Sequence, residues 1–62
     1  MKIQKQKIVL IEDDAALGNS ILELLQLNNF EVTWFDDSTK ALVYLTQNIP
    51  DLIISDLMMP KM

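Results

Sequence analysis

Two short apolar stretches, each leading into acid, constrain this chain more than any other feature. The first is Ile8-Val9-Leu10-Ile11, followed by Glu12-Asp13-Asp14; the second is Leu52-Ile53-Ile54, followed by Ser55 and Asp56. β-branched content without polar alternation predicts strands covered on both faces, as in a parallel sheet flanked by helices. Open parallel sheets bind ligands at the carboxyl ends of their strands, where these acids stand. A carboxylate is also a good turn former, so Asp56 alone fits a structural turn as well as it fits chemistry.

Helix formers fill the space from Ala15 to about position 28. Asp13 or Asp14 can cap the start, and Asn28-Asn29 can close the end in the left-handed conformation that Asn tolerates. The apolar positions of this helix spread over roughly 220°, about twice what one buried face needs. The surplus, chiefly Leu17 and Leu24, calls for a second partner. Gly18 costs about 1 kcal/mol against Ala inside a helix, so a close approach there is expected. Residues 30–35 alternate Glu31 and Thr33 with Val32 and Trp34, the pattern of a half-exposed edge strand. Asp36-Asp37-Ser38 is a turn and cap. A second helix over about 38–47 puts Ala41, Leu42 and Leu45 inward, and Pro50 keeps it from continuing.

The order is thus β-α-β-α-β, with strands near 7–12, 30–35 and 51–56 in one domain. Right-handed crossovers give an α/β arrangement, a parallel sheet of order 2-1-3 with one helix on each face. Strands 1 and 3 then lie side by side, and Glu12, Asp13 and Asp56 converge at one rim. Like charges held so close cost stability unless a cation or proton intervenes. The chain has no His and no Cys, which leaves hard oxygen donors and points to Mg²⁺. The plainer alternative has Asp13 and Asp14 as caps and Asp56 as the start of a turn.

A net charge of −4 disfavours direct nucleic-acid binding. No stretch approaches a membrane span or a signal peptide, so a soluble, cytoplasmic chain is expected.

These residues resemble the receiver domain of two-component response regulators. Glu12-Asp13-Asp14 after the first strand looks like that family's acidic pair, and residues 51–60 look like its phosphoacceptor strand and the Met-Pro turn beyond it. The separation of Asp13 from Asp56 fits as well. The resemblance spans the whole chain, which matches the N-terminal half of a receiver, and it implies half of a doubly wound flavodoxin-like α/β fold. It implies that Asp56 takes a phosphoryl group from a sensor histidine kinase. It further implies that Glu12, Asp13, Asp56 and the Met58 carbonyl hold Mg²⁺, and that the domain is not a stand-alone enzyme. The family docks its kinase on the first helix, which implies partner binding at Leu17, Ser20 and Leu24; the plainer alternative is that these leucines pack into a self-association interface.

The chain stops at Met62, before the Ser or Thr and the Lys that receivers also use, and Lys61 is no assured replacement. A cut-down receiver with impaired phosphoryl retention is therefore expected. Strand 3 would be left as an apolar edge, which predicts a homodimer through that strand or through uncovered faces. The alternative function is a non-catalytic, self-assembling or kinase-docking module. Two other acid-dependent sheet enzymes fit poorly. Topoisomerase-primase-like domains want Asp-x-Asp at strand 3, and haloacid dehalogenases want it after strand 1.

Overall fold

The computed structural model describes residues 5–55. Its elements are β1 (Lys7–Ile11), α1 (Ala15–Leu27), β2 (Glu31–Phe35), α2 (Ser38–Leu45) and β3 (Leu52–Ser55). All strand pairs are parallel and the order is β2-β1-β3. The expected doubly wound half-sheet is therefore the observed one.

The most apolar strand takes the centre. Ile8, Val9 and Leu10 are almost wholly buried, and with Ile11 and Ala41 they make up the buried apolar core among the described residues. Neighbours on a strand face opposite sides of the sheet, and β2 shows both sides at once. Trp34 lies against Gly18 of α1, while Phe35 stacks at 5.2 Å and 51° on Tyr44 of α2. Each face accordingly carries one helix. Val9, Ile11 and Ala41 form the cluster under α2, with Phe35, Tyr44 and Leu45 packed against it.

Local chemistry fixes the helix limits. Asp14 caps α1, its Oδ1 accepting from the Leu17 N–H at 3.0 Å. Asn29 closes α1 at φ 72°, with the Phe30 N–H donating to the Leu25 carbonyl and the Asn29 N–H to that of Gln26. That pair of bonds, which satisfies the last carbonyls, needs a left-handed residue, and Asn supplies it. Asp37 caps α2 by accepting from the Thr39 N–H at 2.7 Å. The helix stops at Leu45 rather than near position 47. There the Thr46 hydroxyl donates back to the Val43 carbonyl at 2.7 Å, and the Asn48 side-chain amide donates to the Tyr44 carbonyl at 2.9 Å.

One expectation changes. β3 is not covered on both faces: Leu52 is 53% and Ile53 47% exposed. The reason is lateral. Among the described residues β3 pairs only with β1, and both helices contact β1 and β2 instead.

Asp51 sets the register of β3. Its backbone N–H donates to the Lys7 carbonyl at 2.8 Å, and its carboxylate accepts the Lys7 N–H at 2.7 Å. Ile8 then falls opposite Leu52, and Ile11 opposite Ser55. Asp51→Ala should cost about 1 kcal/mol, the net worth of one hydrogen bond. Amide exchange should show β3 opening faster while the β1–β2 amides keep their protection.

Candidate functional site: the acidic carboxyl rim

β1 ends at Ile11, and the next residue is held in place through three separate groups. The Glu12 N–H donates to the Phe35 carbonyl at 3.0 Å, extending the β1–β2 ladder by one bond. The Glu12 carbonyl accepts the Trp34 indole N–H at 2.9 Å. Its carboxylate accepts the Asp14 N–H at 3.1 Å through Oε2. Glu12 is only 3% exposed, and among the described residues it is the one charged side chain in the core. A buried carboxylate is tolerated when it is hydrogen bonded, and this one is.

Asp13 sits in the bend between β1 and α1 and is exposed. The capping role left open between Asp13 and Asp14 falls to Asp14, which holds Leu17. Among the described residues, no hydrogen bond or ion pair engages the Asp13 carboxylate. Its chemistry is therefore not absorbed by the helix start.

Glu12 and Asp13 offer hard oxygen donors at one rim, which suits Mg²⁺ rather than a soft metal. No group of three or more potential ligands gathers among the described residues, so these two alone do not complete a site. The roles expected of Asp56 and Met58 lie outside the described residues. Ser55, which precedes Asp56, stands beside Ile11, which precedes Glu12. The two strands thus reach the same rim together.

Leu17, Ser20 and Leu24 are all exposed on α1, and Leu24 is 60% exposed. The Ser20 hydroxyl is turned back onto the Ala16 carbonyl at 3.2 Å. A cavity of about 50 Å³ near Lys7, Thr33 and Tyr44 lies towards the opposite, amino rim. It is far below the ~300 Å³ at which small-molecule pockets begin. Among the described residues no helix is long and apolar enough to cross a membrane.

Two contributors escaped sequence reasoning. Trp34 read as a strand aromatic, and its bond to Glu12 crosses 22 positions that no local pattern links. The available signal was the helix glycine, which implied a bulky neighbour without naming it. Asp51 read as the start of β3, and its hold on Lys7 spans 44 positions.

A parallel sheet of order β2-β1-β3 with one helix on each face defines the class: part of a doubly wound α/β fold. The family model for the response regulator receiver domain matches residues 8–62, and the chain belongs to that family. It is 34% identical over 62 residues to the DNA-binding response regulator MtrA of Mycobacterium tuberculosis, covering 100% of this chain and 27% of that protein. It is 31% identical to the probable transcriptional regulator ycf27 of Porphyra purpurea, again over 62 residues, covering 100% of this chain and 26% of that protein. Response regulator MprA of a Mycobacterium species is 32% identical over 56 residues, covering 90% of this chain and 24% of that protein. The chain thus spans about a quarter of the length of these relatives.

Proposed function

We propose that these residues form the phosphoacceptor part of a two-component receiver, with Asp56 accepting a phosphoryl group from a sensor histidine kinase. The observation that supports this most is the parallel pairing of β1 and β3, with Ile11 beside Ser55 and an acid following each strand. Membership in the receiver family supports this reaction class.

Phosphoryl transfer asks the protein for position and charge compensation more than for covalent chemistry. A carboxylate oxygen of Asp56 attacks phosphorus in line, the donor leaves, and an acyl phosphate remains on Asp56. One Mg²⁺, held by Glu12, Asp13, Asp56 and the Met58 carbonyl, would offset the repulsion between the two anions. The protein's own share is to keep β1 and β3 in register and the Glu12-Asp13 turn rigid. The parent domain takes a phosphoryl group from the kinase, loses it slowly, and is not a stand-alone enzyme. On α1, Leu17, Ser20 and Leu24 form the surface offered to the kinase, and a parent protein with a transcriptional output is the matching context.

A second reading is favoured by one observation: Leu17, Leu24, Leu52 and Ile53 are all exposed. On this reading the chain acts as a self-assembling or docking module without chemistry.

Incubation with acetyl phosphate and Mg²⁺, followed by intact-mass measurement, separates the two. Phosphoryl transfer predicts a gain of one phosphoryl group, at partial occupancy because retention by this segment is impaired, that is lost in Asp56→Asn and on removing Mg²⁺. No gain, or an equal gain in Asp56→Asn, overturns the proposal.

A further inference from the structure

We propose that Trp34 is a positioning residue for the acidic rim: its indole N–H holds the Glu12 carbonyl and thereby sets the direction in which Asp13 leaves β1. This rests on reading Glu12 and Asp13 as Mg²⁺ ligands. β2 ends at Phe35, whose carbonyl takes the Glu12 N–H at 3.0 Å. The indole supplies the donor for the Glu12 carbonyl at 2.9 Å, so both backbone groups of Glu12 are tied to β2. That carbonyl belongs to the planar peptide joining Glu12 to Asp13, so fixing it fixes the plane from which Asp13 departs.

The ring is itself held. It lies where a Gly18 Cβ would stand, with Cη2 only 2.7 Å from that position. Gly18 belongs to α1, its N–H donating to the Asp14 carbonyl at 2.8 Å, and the Asp14 N–H donates to Glu12 Oε2. The contacts close a circuit from Glu12 through Asp14, α1 and Trp34 back to Glu12. Groups that orient ligands from behind commonly change metal affinity by about 10- to 100-fold when removed.

The test is a Mg²⁺ titration followed by heteronuclear NMR on the 62-residue chain, on Trp34→Phe and on Asp13→Asn. Trp34→Phe keeps an aromatic ring and loses the donor. It should move the Glu12 carbonyl carbon and the Asp13 amide before any metal is added, and weaken Mg²⁺ binding about tenfold. Equal affinity in folded Trp34→Phe, with only a lower melting temperature, overturns the inference and leaves the metal reading intact. An Asp13 amide in the unmutated chain that ignores Mg²⁺, or a response undiminished in Asp13→Asn, overturns the metal reading and the inference with it. Should Trp34→Phe fail to fold, the unmutated chain still decides. The indole N–H must shift with the same midpoint as the Asp13 amide, and an indole that stays still while Asp13 moves overturns the inference.

Discussion

Gly18→Ala should destabilise this chain by about 2 kcal/mol, against the usual direction for a glycine inside a helix. Helix propensity alone would favour Ala by about 1 kcal/mol. The added Cβ, however, falls on the Trp34 indole. The ring has little freedom to retreat, because its N–H is bonded to the Glu12 carbonyl at 2.9 Å. Overpacking of this kind typically costs about 1–3 kcal/mol, and more where neighbours are held. A domain of this size holds only about 3–5 kcal/mol in total, so the loss is a large share. Thermal melting should fall by about 10 °C, since 1 kcal/mol is worth about 4–8 °C in a small domain. An unchanged or raised melting temperature would show that Trp34 does not occupy the gap.

The second large effect is on association. Leu24 is 60% and Leu17 47% exposed on α1, and Leu52 and Ile53 are about half exposed on β3. An apolar edge strand with free backbone groups recruits another strand, and exposed apolar faces add to the drive. Alone in solution at tens of micromolar, the 62-residue chain should sediment as a dimer. Leu24→Arg discriminates between the surfaces. If it yields a folded monomer, α1 forms the interface. If the dimer persists while kinase binding weakens, β3 joins the copies and α1 faces the kinase. A folded monomer of the unmutated chain would rule out self-association.

The sheet order was legible because the two apolar runs differ in kind from the alternating Glu31–Phe35 strand, and the crossover rule leaves one arrangement for them. The end of α1 was legible for a similar reason, since Asn29 takes the left-handed turn that Asn permits. Exposure of β3 was harder to read. Leu52-Ile53-Ile54 has the composition of an inner strand, and composition does not say whether a neighbour is there to cover it.

The candidate site was legible as far as its acids. Position in the sequence shows that Glu12 and Asp13 follow β1, but not which aspartate caps α1. The choice of Asp14 depends on backbone angles at the helix entry, φ −85° and ψ 116°, that suit the capping geometry. Trp34 and Asp51 act across the sheet through single hydrogen bonds. Such partners are set by register and by side-chain reach, neither of which leaves a periodic trace in the chain.

Replacing Mg²⁺ with paramagnetic Mn²⁺ tests the central claim most directly, because line broadening falls steeply with distance from the ion. If β1 and β3 deliver their acids to one cation, the amides of Asp13 and Ser55 broaden together at the lowest Mn²⁺ concentrations, and both effects weaken in Asp13→Asn. Broadening at Asp13 with Ser55 untouched would mean the two strand tips do not share an ion, and the phosphoacceptor account would be contradicted.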